Sequence, residues 1–175
     1  MHCIHCGLEM PQNHVWPYQC LGCGEFNYNS PKPVVVLVLR ALTPTGDAGV
    51  IVVRRGIQPG KGGWAFPGGY VDYQEDWADA AIREAKEELG IDIDPKWIMP
   101  WGPPVTTKTN FFIQFVTVAE VIFGAKPWKG HDITKCLNDS GEQEVLEIRV
   151  ISPTETMKRD FHLAFDAHER IWQRM

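Results

Sequence analysis

Hydrophobic and polar positions along the chain fall into stretches of different period. "VVVLVLR", from Val34 to Arg40, is an unbroken aliphatic run, the pattern of a strand buried on both faces. A second strand is expected from Val50 to Arg54, after the turn-rich "ALTPTGDAG". The Gly- and Pro-rich "GIQPGKGGWAFPGG" leaves room only for a short strand at Trp64 to Phe66. From about Trp77 to Leu89 the period becomes helical. At ~100° per residue, Ala78, Ala81, Ile82, Ala85 and Leu89 form one apolar stripe, with Asp79, Arg83 and Lys86 opposite. Asp76 suits the N-cap and Gly90 the C-terminal stop. "NFFIQFVTVAEVI" and "EVLEIRVI" return to strand character on either side of a polar loop, and a last helix is expected from about Thr154 to Trp172. Strands on both sides of a helix, with a second helix at the end, predict an α+β domain whose mixed sheet is sandwiched between helices.

Composition changes at "NYNSPKP". Ahead of it lies a Cys-, His- and Gly-rich segment, so the boundary is placed near Ser30, with a small module over 1–30 and a main domain over 31–175. Cys3-x-x-Cys6 and Cys20-x-x-Cys23 have the spacing of a structural Zn²⁺ site, each short turn supplying a thiolate pair and Gly7, Gly22 and Gly24 the permissive backbone. A redox dithiol fits a single C-x-x-C better. His2 and His5 stand beside the first pair as lesser ligand candidates, and Cys136 is expected to be a free thiol.

The chain has 175 residues, 44% hydrophobic and 22% charged, which excludes disordered and fibrous classes. A net charge of -5 offers no general attraction to nucleic acid or anionic membrane, and residues 1–31 contain no Lys or Arg. Nucleic-acid binding by the zinc module is therefore not expected. Trp16, Tyr18, Phe26 and Tyr28 are expected instead to pack it on the main domain or on a second copy, which would make a homodimer. Without a basic leader or an apolar run of about 18 residues, the expected location is cytoplasmic, with no membrane partner.

The chemistry concentrates in the helix. Glu84, Glu87 and Glu88 cluster within an arc of roughly 100° on its flank, and Glu84 and Glu88, one turn apart, repel by a few tenths of a kcal/mol. A solvated charge run is the ordinary explanation, yet the usual Glu-to-Lys partners are missing. Three carboxylates facing one spot suit a hard divalent cation, Mg²⁺ or Mn²⁺, held together with substrate phosphates. "GIQPGKGG" is a near miss for a phosphate-cradling loop, because Gly62 stands where Ser or Thr is needed; it is read as a turn with Lys61 a candidate phosphate contact.

Gly69, five residues, Glu75, seven residues, then Arg83-Glu84-Ala85-Lys86-Glu87-Glu88-Leu89-Gly90-Ile91 resembles the Nudix box, G-x5-E-x7-R-E-U-x-E-E-x-G-U with U aliphatic, at every fixed position. "GWAFPGGYV" is similar to the strand and turn that precede that box, and the resemblance covers about residues 33 to 173. It implies a Nudix-type α/β/α sandwich and hydrolysis of a nucleoside diphosphate linked to another moiety, by water attacking phosphorus. It also implies that Glu84, Glu87 and Glu88 ligate Mg²⁺ or Mn²⁺ with the Gly69 carbonyl, that Arg83 orients Glu84, and that Glu75 braces the loop. In the family a Glu in the loop before the later strand often serves as base; Glu142 is the first candidate here and Glu144 the second. The Glu142-Gln143-Glu144 run is similar to that of ADP-ribose pyrophosphatases, so ADP-ribose, cleaved to AMP and ribose 5-phosphate, is the expected substrate. Trp64, Phe66 and Tyr70 flank the box and could stack on a purine, with Arg54 a further substrate contact; that the Trp64 and Phe66 face is simply core is an equal alternative. A zinc ribbon ahead of a Nudix domain is similar to NADH pyrophosphatases, which makes NAD(H) the alternative substrate, although "MPWGPPVTT" replaces their S-Q-P-W-P-F. The intact box argues against a non-hydrolytic nucleotide sensor. RNA decapping is disfavoured by the uncharged ribbon, with Lys126, Lys129 and Lys135 leaving one local basic patch.

Overall fold

The computed structural model describes residues 1–43, 45–108, 113–127, 136–137, 140–152 and 162–175, and of residues 108 and 113–127 the backbone alone. The chain divides into two compact units, Met1–Pro31 and Lys32–Met175. In the first, β1 (Tyr18–Gln19) pairs antiparallel with β2 (Phe26–Asn27). Each C-x-x-C closes a tight turn: the Gly7 N–H donates to Cys3 O at 2.9 Å and the Gly24 N–H to Cys20 O at 2.8 Å. Both glycines sit at positive φ, 76° and 77°, where a side chain would strain the backbone. His14 packs edge-on against Trp16 and Tyr18, whereas Phe26 and Tyr28 are exposed.

The second unit is built on one mixed sheet. Its strands are β3 (Lys32–Leu42), β4 (Ala48–Arg55), β5 (Trp64–Ala65), β6 (Ile98–Pro100), β7 (Val105–Lys108), β8 (Ile113–Pro127) and β9 (Val145–Ile151). β3 runs parallel to β8, and β6 and β7 pair antiparallel with β8. β4 pairs antiparallel with β5 and β9. β3 and β4 join only at their hairpin end, from Arg40 opposite Val50 to Leu42 opposite Ala48. Further along, the loop after β5 takes the vacated edge of β3: Val35 N–H donates to Gly69 O at 2.9 Å and Leu37 N–H to Pro67 O at 2.8 Å. The approach is so close that a Cβ on Gly68 would lie 2.2 Å from Val35 O, and Gly68 adopts φ 138°. The glycine pair thereby becomes part of the sheet edge rather than a loose turn.

The unbroken aliphatic run is explained by two covered faces. Val35, Leu37, Leu39 and Ala41 join Ile51 and Val53 beneath Ala80, Ala81, Ala85 and Leu89 of α1 (Trp77–Leu89). Val36 and Val38 join Val50, Val52, Trp64 and Phe66 against Ala167 and Ile171 of α2 (Asp166–Trp172). Each fully buried aliphatic side chain contributes about 1.5–3 kcal/mol. The result is the α/β/α sandwich that the sequence pattern implies.

The C-terminal helix differs from expectation. α2 begins at Asp166, and the chain before it is extended: Trp64 N–H donates to His162 O at 3.0 Å and Ala164 N–H to Trp64 O at 2.7 Å. Backbone pairing with the short β5 satisfies groups that a longer helix would have used internally. Residues 153–161, where the expected helix would start, lie outside the described residues. No described helix is long and apolar enough to cross a membrane.

Candidate active site

α1 is fixed at both ends. Asp76 accepts the Ala78 N–H at 2.9 Å, and Gly90, left-handed at φ 64°, donates to the carbonyls of Ala85 and Lys86. Its sheet-facing side is mostly alanine, so the helix lies close to β3 and brings Glu84 and Glu88 to the glycine loop. Glu88 is 8% exposed, and its Oε2 accepts the Gly68 N–H at 2.9 Å. Glu84 lies against Gly69, where a Cβ would fall 2.3 Å from its Oε1. The Gly69 carbonyl, the expected backbone ligand, already accepts from Val35 and has one lone pair left.

Arg83, opposite the apolar stripe and expected from the resemblance to orient Glu84, is the clasp of this wall. It grips Glu75 bidentately, Nε to Oε1 at 2.9 Å and Nη2 to Oε2 at 3.0 Å. Nη1 reaches Glu84 Oε1 at 2.8 Å and Glu87 Oε2 at 3.2 Å, and Nη2 also donates to Tyr70 O at 2.9 Å. Only a planar, forked donor can serve this many acceptors at once. The hydrogen bonds from Arg83 hold the Glu75 carboxyl below its usual range. Burial pushes Glu84 up to about 7 against the pull of Arg83, with the charges of Glu87 and Glu144 adding to the rise. Burial, then the charge of Glu84, lifts Glu88 well above the usual carboxylate range.

Gly68, Gly69, Arg83, Glu84, Glu87 and Glu88 line a cavity of about 650 Å³, with Glu75 behind them. Arg55, at the end of β4, also lines it. Its Nε donates to Pro59 O at 2.8 Å and its guanidinium stacks 5.0 Å from the Phe165 ring centre. Neither Nη group hydrogen-bonds a described residue. Burial lowers the Arg55 pKa, while the charges of Glu88 and Glu144 oppose that fall. His168 of α2 completes the lining.

Several expected substrate residues are placed elsewhere. Trp64 does not line the cavity; it is core, 5% exposed, beneath the Arg149 guanidinium at 5.0 Å. Phe66 is buried and contributes to the cavity lining, with Trp172 and His168 packed on it. Tyr70 is half-exposed and also lines the cavity. Arg54 points away, donating to Gly62 O at 3.2 Å and pairing with Glu147 at 3.8 Å. Alternation along β4 puts the two arginines on opposite faces, Arg55 on that of Ile51 and Val53, while the register shift beside them leaves Leu146 of β9 as the extra residue. Glu142 is exposed and off the cavity, whereas Glu144 lines it. Residue 144 is pinned by its backbone, its N–H donating to Cys136 O at 2.7 Å and its C=O accepting from Gly56 at 2.8 Å. Lys61 is exposed and absent from the lining; the side chains of Lys126, Lys129 and Lys135 lie outside what the structure describes. Cys136 is a buried free thiol, its Sγ 3.4 Å from Glu87 O and 3.6 Å from Glu88 O. Arg55 and His168 were missed by sequence reasoning. Arg55 carried a faint signal, since it continues the alternation of Ile51 and Val53; His168 carried none.

In the N-terminal unit the four cysteine sulfurs lie within 4.8 Å of one another, Cys3 to Cys23 at 3.7 Å and Cys6 to Cys20 at 3.6 Å. Zn–S bonds of ~2.3 Å in a tetrahedron need sulfurs about 3.8 Å apart, so the donor set fits zinc. Backbone N–H groups of His5 and Gly22 point at Cys3 and Cys20 sulfur, each at 3.4 Å, as thiolates favour. The His5 ring turns instead to Phe26 O, and neither His2 nor His5 joins the cluster.

A mixed sheet between helices, with an Arg-clasped acidic helix against a glycine loop, defines the Nudix class of fold. Residues 31–170 match the family model described as the NUDIX domain, and the chain belongs to that family. An ADP-ribose pyrophosphatase of Methanocaldococcus jannaschii is 29% identical over 126 residues, 71% of this chain and 64% of that protein. The chain thus spans less than two thirds of that relative's length. The NUDIX domain of Shewanella oneidensis NrtR, solved with ADP ribose, superposes with a TM-score of 0.64 at 16% identity, covering 84% of this chain and 87% of that one. A NUDIX hydrolase from Nitrosomonas europaea covers 98% of this chain and 88% of its own at a TM-score of 0.59 and 20% identity.

Proposed function

We propose that the main unit hydrolyses a nucleoside diphosphate linked to a second moiety, with ADP-ribose, cleaved to AMP and ribose 5-phosphate, as its substrate. The observation that carries this reading is the gathering of Glu84, Glu88 and Glu144 on one cavity that also holds the open guanidinium of Arg55. The named activity of the Methanocaldococcus relative supports the choice of ADP-ribose.

Mg²⁺ or Mn²⁺ fits these residues. Glu84 and Glu88 are buried carboxylates that repel each other, hard oxygen donors of the kind such ions prefer, and the missing Gly69 side chain leaves Glu84 seated against the backbone. Glu84, Glu87 and Glu88, with the Gly69 carbonyl, would hold the metal, whose chemistry is to neutralise the diphosphate and acidify bound water. Arg83 keeps Glu84 and Glu87 in place and ties them to Glu75. Glu144, in place of Glu142, is assigned the base: it takes a proton as water oxygen bonds to phosphorus and the bond from phosphorus to the bridging oxygen breaks. Arg55 donates to phosphate oxygens and offsets the charge that develops there. The four-cysteine cluster is assigned to structural Zn²⁺.

The test is a panel of ADP-ribose, NADH, NAD⁺, FAD, diadenosine polyphosphates, capped RNA and nucleoside triphosphates with Mg²⁺ or Mn²⁺, products identified. The expected outcome is AMP plus ribose 5-phosphate from ADP-ribose, at the highest kcat/KM of the panel. A preference for NADH or for triphosphates would overturn the assignment.

A further inference from the structure

His168 is a buried polar side chain that the hydrolytic chemistry does not use. It is 6% exposed and lies against Phe66, Phe165 and the cavity. Its Nδ1 accepts the Phe66 backbone N–H at 3.0 Å, a bond that requires an unprotonated Nδ1. The neutral ring therefore carries its proton on Nε2, and Nε2 bonds no described residue. Phe165 ties this ring to the cavity's cation. The Arg55 guanidinium stacks at 5.0 Å from the Phe165 ring centre, and the His168 ring meets Phe165 edge-on at 5.1 Å. Burial, followed by the charge of Arg55, pushes the His168 pKa down to about 3, which agrees with a ring that stays neutral.

We propose that His168 is a specificity-determining residue: a fixed, neutral N–H donor that reads a hydrogen-bond acceptor on the organic moiety of the nucleotide whose phosphates Arg55 engages. Locked in one tautomer, the ring can donate into the cavity and cannot accept from it. It selects ligands that present a carbonyl, a hydroxyl oxygen or an unprotonated ring nitrogen at that point. A site built around a buried donor discriminates against a ligand lacking the acceptor, because the donor is then left desolvated and unpaired. This inference rests on the cavity being the substrate site proposed above.

Two measurements test it. The first is binding of AMP and ADP-ribose in EDTA by calorimetry, beside saturation kinetics with Mg²⁺, for wild type, His168→Leu and His168→Gln. His168→Leu is expected to weaken binding and raise KM by roughly 10-fold or more while leaving kcat within about 3-fold, the signature of lost uniform binding. His168→Gln is expected to recover most of it, since one amide can accept from Phe66 and donate to the cavity. Unchanged affinity in His168→Leu, or a Gln variant that folds as wild type yet binds no better than the Leu variant, would overturn the assignment. The second follows the imidazole ¹⁵N resonances of the wild-type protein as AMP is added. The Nε2–H signal is expected to shift on binding, and an unmoved Nε2 at saturating AMP would refute the contact without recourse to any variant. Nucleotide binding in EDTA with no turnover of any panel member would sink the hydrolase reading alone, while the binding comparison still decides the role of His168.

Discussion

Glu88 shows how much one side chain can be asked to do. Its carboxylate is buried against the Gly68 N–H, beside Glu84, with its pKa raised by burial first and by that neighbour second. A carboxyl whose folded pKa lies above its unfolded value gives the fold stability that is fully present below about 4.5 and is lost as pH rises through the folded value. Metal-free protein is therefore expected to melt at lower temperature at pH 8 than at pH 5. Glu88→Gln keeps the acceptor for Gly68 and removes the ionisation. It should fold, lose less of its Tm over that pH range in EDTA, and lose roughly 10²-fold or more in kcat/KM with Mg²⁺. Melting curves from pH 4.5 to 8 beside turnover measurements check this. Near wild-type turnover would remove Glu88 from the metal site.

At the scale of elements, α1 matters because it delivers three acidic side chains to one cavity, and its own capping is separable from that delivery. Asp76 caps the first turn and does not line the cavity. Asp76→Ala should cost about 1 kcal/mol, read as a lower urea midpoint at unchanged m-value, with kcat within about 2-fold because packing of Ala80, Ala81, Ala85 and Leu89 still sets the helix position. A large activity loss at full occupancy of the folded state would mean that the cap, rather than the packing, positions the glutamates. The limits of α1 were legible because caps and periodicity are local properties of the chain. The start of α2 was not legible, since His162 and Ala164 are drawn into pairing with Trp64, a partner distant in sequence.

At the scale of the whole molecule, the two units are stabilised by different physics. Unit 2 has two aliphatic layers, whereas the buried residues of unit 1 are Cys3, Met10, Cys20 and Asn27. A core of that size cannot offset the entropy of ordering the chain, so folding of residues 1–31 is expected to depend on its metal. Elemental analysis of protein purified without added metal should find one tightly held Zn²⁺ per chain. A strong chelator under reducing conditions should abolish amide protection across 1–31 while the sheet of unit 2 keeps its own. Full protection of 1–31 in zinc-free protein would refute the dependence.

The sequence by itself determined the features written in local spacing: the doubly buried β3, the capped α1 with its three glutamates, and two C-x-x-C turns. Each depends on residues a few positions apart, where backbone geometry alone fixes which side chains neighbour one another. Only the tertiary structure decided what the cavity brings together. α1 and Phe165 cover the Ile51 and Val53 face of β4, so its alternation puts Arg55, rather than Arg54, at the cavity, and backbone pairing of residue 144 with Gly56 and Cys136 brought Glu144, rather than Glu142, to the wall. The pairing of Arg83 with Glu84 was legible from the motif, whereas its grip on Glu75 and on the Tyr70 carbonyl exists because the loop carrying them folds back over it. Trp64 became core and His168 joined the cavity lining for one reason: the extended segment before α2 docks along β5 and lays that helix over the face where Trp64 and Phe66 lie. Pairings across some 100 residues are set by the summed burial of both layers, and no local spacing in the chain records them.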